Sequence, residues 1–286
     1  ILEQLGVEVL VGNYYANHWK DWVKANAKHI DFVFLNRPHI AVNYIDFIRK
    51  NTNAKIMYYG MDLHFLREMR EYELTGNQEL KKSAEEWKKK ELDIMRSVDV
   101  VYYLSEVEIS IIHELDSTIN ANLLPIYIFE MIDKLNYNST QRKDLMFIGG
   151  FVHRPNADAV LWFHDEIWPI VKGKNKNIKI FILGSNPPDE IKNLNSEDFI
   201  IKGFVSDEEL DQIYSQIRLS VVPLRYGAGI KGKVVEAMQH QVPVITTTVG
   251  AEGLDVEGKV LCVEDEASLF ANRIIELYDD AELLAD

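Results

Sequence analysis

The feature that most restricts the fold of this chain is a regular alternation of short apolar runs with longer amphipathic segments along its 286 residues. In the first half, residues 7–12, 31–35, 54–60, 98–105 and 122–128 read as buried strands, with helical patterns between them. In the second half, residues 145–149, 178–184, 199–203, 219–224, 242–248 and 260–264 read as six more, and helices fit at about 156–171, 206–217, 231–240 and 266–283. Short runs that are apolar on both faces suit a parallel sheet covered by helices on each side. Ser206 followed by Glu209 matches a capping box at the start of the second of these helices.

Between the halves, residues 132–141 are polar and weakly periodic, as an interdomain linker would be. The expectation is therefore two doubly wound units, residues 1–130 and 131–286. The chain opens at Ile1 and not at Met, and its first six residues read as the tail of a helix running into the strand at 7–12. That implies sequence upstream and a first unit lacking its first βα element. Open parallel sheets bind ligands beyond the carboxyl ends of their strands, so two facing sheets imply a cleft between them as the site.

Residues 63–97 read as one long helix or two stacked ones, with Leu80, Ala84, Trp87, Ile94 and Met95 on one face. The other face carries Lys81, Lys82, Lys88, Lys89 and Lys90, mixed with Glu85, Glu86 and Glu91. A solvated face is the plain reading, and peripheral contact with an anionic membrane surface is the sharper one.

Composition narrows the classes further. A net charge of −14 and a pI near 5.1 argue against a nucleic-acid binder, which needs a basic surface. The single cysteine, Cys262, permits no internal disulfide and fits a reducing, cytoplasmic compartment. No apolar run reaches the roughly 18–20 residues that span a bilayer, and the start carries no signal-peptide pattern. Oligomeric state is not legible.

The most informative stretch is PLRYGAGIKGKVVEAM at residues 223–238, which leads from a strand through a glycine-rich turn into a helix. Glycines let backbone amides approach a ligand, and a helix start favours phosphate. Lys231 and Lys233 stand where the helix end is already positive, so for stability alone their sign is wrong. A bound diphosphate would reverse that conflict; two solvated lysines beside a simple turn are the alternative. The spacing is neither a Walker A loop nor a dinucleotide fingerprint after a domain's first strand. Glu236, one helical turn on, suits paired ribose hydroxyls, or else is a helix acid or an ion-pair partner of Lys233. A second turn, Gly149 and Gly150 followed by His153 and Arg154, follows the first strand of this unit, and Gly184 and Gly203 end two further strands. Pro155 suits the first turn of the helix that follows.

On these residues the second half, about 144–286, resembles the donor domain of GT-B fold glycosyltransferases, specifically the retaining family 4 (glycosyl transferases group 1). The pieces that carry the resemblance are FIGGFVHRPNADAVLWF, IFILGS and the long run IKGFVSDEELDQIYSQIRLSVVPLRYGAGIKGKVVEAMQHQVPVITTTVGAEGL. The first half is similar to the acceptor domain more weakly, through YYGMDLHFLREMREYEL and VYYLSEVE. The resemblance implies an α/β protein of two Rossmann-like domains facing across a cleft. It implies transfer of a sugar from a nucleotide diphosphate sugar to a glycan, a lipid-linked or another acceptor, with retention. No cofactor and no metal are implied, because basic side chains and a helix end hold the leaving diphosphate.

Carried onto this sequence, the resemblance places Glu236 at the donor ribose, Gly203, Phe204 and Val205 near the base, and Gly149 and Gly150 near the diphosphate. His153, Arg154, Gly184, Gly227, Ala228, Gly229, Ile230, Lys231 and Lys233 complete the expected donor site. Two departures stand out. Ala228 occupies a position where many members carry a second glutamate, and Met61 one where many carry a histidine. His64 either takes that histidine's role or is structural. His18, His29, His39, His113, His164 and His240 are scattered and read as structural or surface groups. The expected mechanism is electrostatic stabilisation of the leaving phosphate, with domain closure excluding water. Alternatives are a catalytically impaired sugar-nucleotide-binding subunit and a nucleotide-sugar epimerase of the same fold; a dehydrogenase is the weakest.

Overall fold

The computed structural model describes residues 2–125, 142–254 and 261–280. The expected linker at 132–141 and the end of the run at 122–128 lie outside them. Contacts divide the chain into two compact units, Ile1–Leu63 with Glu85–Leu124, and His64–Ala84 with Pro125–Asp286. The expected division at 130/131 left residues 64–84 in the first unit, whereas their contacts place them in the second.

The first unit holds a four-stranded parallel sheet in the order β1 (Phe32–Asn36), β2 (Lys55–Tyr59), β3 (Val100–Tyr103), β4 (Ala121–Leu123). Its helices are α1 (Asn13–Asn26), α2 (Pro38–Ala41), α3 (Ile45–Asn51) and α6 (Glu106–Leu115), together with the larger part of α5 (Gln78–Arg96). The inner strands carry the core: Ile56, Tyr58, Tyr59, Val101 and Tyr103 are buried, with Ile45, Ile48, Ile94, Met95 and Ile112 packed from the helices. The expected strand at 7–12 does not form. Those residues are irregular, Val7 and Val11 are exposed, and no described strand lies beyond β1. A buried strand needs a ladder for its backbone groups, which this segment lacks. Ahead of it stands a 3₁₀ turn, Glu3–Leu5, closed by Gly6 in the left-handed region.

The stretch 63–97 resolves into two helices, α4 (His64–Thr75) and α5, broken at Gly76 (φ 71°). Leu80, Ala84, Ile94 and Met95 are buried as the periodicity predicts, Trp87 is half-buried, and Lys81, Lys82, Lys89 and Lys90 are exposed.

The second unit has six parallel strands: β5 (Lys143–Ile148), β6 (Ile180–Leu183), β7 (Phe199–Gly203), β8 (Ile217–Val222), β9 (Val244–Thr246) and β10 (Leu261–Val263). Their spatial order is β10-β9-β8-β5-β6-β7. All six residues of β8 are buried, the polar Arg218 and Ser220 among them, as a strand covered on both faces requires. Around the sheet lie α7 (Arg154–Trp162), α8 (Trp168–Lys174), α9 (Asp189–Lys192), α10 (Asp207–Gln216), α11 (Gly232–Gln239) and α12 (Ala267–Asp279). A π-helical turn at Phe163–Ile167 joins α7 to α8 ahead of Pro169, whose missing N–H interrupts the regular ladder. It turns Phe163 into a cluster with Trp168, Phe199 and Phe270. Ser206 caps α10 by accepting from the Glu209 amide at 3.2 Å, while the Glu209 carboxylate pairs with Lys202 and so does not close the box. Among the described residues, no helix is long and apolar enough to cross a membrane.

Candidate functional site

Strand order locates the crevice in the second unit. From β5 the chain builds outward through β6 and β7, then crosses to β8 on the other side of β5 and continues to β9 and β10. The loops after β5 and β8 therefore part in opposite directions, which opens a crevice at their carboxyl ends. Both glycine turns singled out in the sequence follow these two strands.

The turn after β5 is tightly packed. The Gly149 amide donates to the Leu183 carbonyl at 3.0 Å, the Phe151 amide to Ser185 at 3.0 Å, and the Gly184 amide to Gly203 at 2.8 Å. These bonds join the ends of β5, β6 and β7. A Cβ on Gly184 would lie 2.0 Å from the Gly149 carbonyl oxygen, so only glycine fits there. Asn156, buried in the first turn of α7, donates through Nδ2 to the Gly150 carbonyl at 2.7 Å. The Lys233 ammonium, arriving from α11 after β8, donates to Asn156 Oδ1 and lies 4.4 Å from the centre of the Phe147 ring. A Cβ on Gly149 would stand 2.6 Å from Lys233 Nζ. Burial, and then the charge of Lys231, push the pKa of Lys233 down to about 7. An ammonium enclosed in this way lacks the counter-charge that would hold it fully protonated.

The turn after β8 has a different construction. Gly227 (φ 152°) and Gly229 (φ 71°) take conformations that L side chains rarely adopt. The Gly229 amide donates to Glu252 Oε1 at 3.0 Å, and the Gly227 carbonyl accepts from Arg70 Nη1 of α4 at 2.6 Å. Lys231, nearly buried, donates its ammonium to the Gly229 carbonyl and stands at the N-cap of α11. Ala228 and Ile230 are half-buried.

Glu236 points from α11 toward α10. Its carboxyl pKa is raised by burial, then by Asp211 and Asp207, and opposed by the nearby Tyr214 hydroxyl. Tyr214 in turn stacks flat on His240, with ring centres 4.3 Å apart. The loop entering α10 begins at Gly203 (φ 73°), followed by Phe204, which is 79% exposed, and the half-buried Val205.

The structure thus brings Lys233, Gly149 and Gly150 together, joins Gly184 and Gly203 to that turn, and places Gly227, Gly229 and Lys231 around the second. Arg154 is at the start of α7 but pairs with Glu71 at 3.1 Å. Burial raises the Glu71 carboxyl, against the opposing pull of Arg154 and a Tyr226 hydrogen bond. His153 is the exposed N-cap residue of α7, and His64 opens α4. Met61 adopts φ 72° in the loop after β2. Reading the sequence alone missed Asn156, Tyr214, Arg70 and Glu252. Asn156 stands in the quoted motif and was within reach, but nothing local marks Arg70, which is 157 residues from the turn it holds. Among the described residues, no group of three or more His, Cys, Asp or Glu side chains is placed to hold a metal ion.

Comparison with known proteins agrees with this geometry. Residues 142–280 match the family Glycosyl transferases group 1. The chain is 28% identical over 195 residues to an uncharacterized 44.6 kDa protein in the cps region of Klebsiella pneumoniae, covering 64% of this chain and 48% of that protein. Among solved structures it is similar to TarM, with a TM-score of 0.69 and 17% identity over 92% of this chain and 52% of TarM. It is similar to the pneumococcal O-GlcNAc transferase GtfA in complex with UDP and GlcNAc (TM-score 0.63, 17% identity, 93% of this chain and 54% of GtfA). It also resembles Anabaena Alr3699/HepE in complex with UDP and glucose (TM-score 0.67, 14% identity, 99% of this chain and 80% of that one). The chain spans about half the length of the Klebsiella relative and of TarM. The match to the glycosyl transferases group 1 family thus covers the second unit, and the α/β fold of the chain is of the GT-B class.

Proposed function

We propose that the protein transfers a sugar from a nucleotide diphosphate sugar to a glycan, lipid-linked or other acceptor, with retention of configuration and without a metal ion. The observation that carries this reading is the Lys233 ammonium, which reaches from the helix after the second glycine turn onto the first at the β5/β8 crevice. A diphosphate there meets Lys233, the first amides of α11 and Lys231. Charge grows on the leaving phosphate as the glycosidic bond breaks, and fixed positive groups in a dry site stabilise that charge without reorganising. These groups supply the role that a cation would otherwise fill.

Glu236, beside Tyr214, accepts hydrogen bonds from the ribose hydroxyls, and the loop from Gly203 to Val205 faces the base. The GtfA and HepE structures were determined with UDP, which supports a nucleotide at this fold position. A thermal-shift screen with UDP, GDP, ADP and dTDP, without divalent metal, tests the reading. One base should raise the melting temperature, and Glu236→Ala should remove that rise. If no nucleoside diphosphate stabilises the protein, the reading fails and a non-enzymatic role takes its place.

A further inference from the structure

The turn at 227–229 has little shape of its own. Its two glycines occupy backbone conformations that cost most in entropy to fix, and the turn carries no charged side chain. Its shape comes from elsewhere. Arg70 Nη1 donates to the Gly227 carbonyl at 2.6 Å, and Nη2 pairs with Glu252 Oε2 at 2.5 Å. Glu252 Oε1 then accepts from the Gly229 amide at 3.0 Å. The bonds close a ring that runs from one glycine through Arg70 and Glu252 to the other, with Ala228 bracketed between them. Arg70 is 25% and Glu252 9% exposed, so the ring is largely shielded from water.

We infer that Arg70 and Glu252 are positioning residues that clasp this turn in the form that receives the donor diphosphate. The inference rests on the donor-site reading above. Two groups beside the turn are hostile to an anion, the Gly227 carbonyl and the Glu252 carboxylate. Arg70 answers both with one planar fork, which a lysine's single ammonium cannot reproduce. Without Arg70, Glu252 would be a shielded, unpaired negative charge next to the phosphate site. Removing Arg70 should therefore harm binding more than neutralising Glu252, and neutralising Glu252 should rescue the loss of Arg70. A merely structural pair would show no such rescue.

The test is calorimetric titration with UDP, GDP, ADP and dTDP of the wild type, Arg70→Ala, Arg70→Lys, Glu252→Gln and the double variant Arg70→Ala/Glu252→Gln. Hydrogen exchange at the Gly229 amide is followed in parallel without ligand. Arg70→Ala should weaken binding by roughly 30- to 100-fold, Glu252→Gln by only several-fold, and the double variant should recover to near the Glu252→Gln value. Arg70→Lys keeps the charge and guards against a folding failure, and should fall between the wild type and Arg70→Ala. Exchange at Gly229 should quicken in Glu252→Gln. Unchanged affinity in the Arg70 variants, additive losses in the double variant, or unchanged exchange at Gly229 overturns the inference. A wild type that binds none of the four sinks the donor-site reading, and the exchange result still decides whether the clasp holds the turn.

Discussion

The turn after β5 and the turn after β8 both set glycine beside a lysine, yet glycine meets a different need in each. At Gly149 the need is space, and at Gly184 it is space together with a φ of 148°: a Cβ on either would strike Lys233 Nζ or the facing carbonyl. At Gly227 and Gly229 the need is backbone conformation, and the surroundings are looser, the nearest atom to a Gly227 Cβ being Lys231 Cε at 3.3 Å. The first turn is held by its own strand ends and Asn156. The second is held by side chains from α4 and from the loop after β9. One is a rigid wall and the other a shaped flap, and Lys233 links them.

Substitutions can separate these roles. Gly184→Ala sets a methyl 2.0 Å from a backbone oxygen, which cannot move aside as a side-chain tip can. It should cost about 3 kcal/mol of stability, read as a fall in melting temperature, with or without ligand. Gly149→Ala meets side-chain ends, Lys233 Nζ at 2.6 Å and the Asn156 amide at 2.7 Å, which can shift where a backbone oxygen cannot, so its stability cost should be smaller. It should displace the ammonium and weaken diphosphate binding about tenfold, seen by calorimetry. Gly229→Ala should cost about 1 kcal/mol from left-handed strain alone. If Gly149→Ala bound as the wild type does while Gly229→Ala abolished binding, the division between wall and flap would be wrong.

The smallest effect is a dependence on pH. In the free protein Lys233 titrates near 7, and a bound diphosphate would hold it protonated. Binding then takes up a proton above pH 7 and none well below it. Affinity should be flat below that pH and fall as pH rises, by at most tenfold per unit. Calorimetry in buffers of different ionisation enthalpy would read that proton directly.

Much of the fold was legible in the sequence because buried parallel strands announce themselves. All six strands of the second unit fall within the runs 145–149 to 260–264, give or take a residue or two at their ends. The failure at 7–12 has a clear cause: an apolar run shows that burial would be favourable, but not that a partner strand exists. In the candidate site, the glycine turns and Lys233 could be read because their signal is local, a turn followed by a helix start. Asn156 stands in the same motif and was within reach, but Tyr214, Arg70 and Glu252 could not be read, since each acquires its role from a partner that only the tertiary fold brings close. Arg154 shows the converse, a residue well placed by motif whose guanidinium the fold engages with Glu71.

The central claim is that Lys233 marks a diphosphate site. It is tested most directly by titrating the nucleoside diphosphate that stabilises the protein into the wild type and Lys233→Ala, at pH 6.5 and 8.5. The account predicts that Lys233→Ala loses roughly 30- to 100-fold in affinity and that the proton uptake seen with the wild type at pH 8.5 disappears. Equal affinity in the two proteins, with the proton uptake intact, would contradict it.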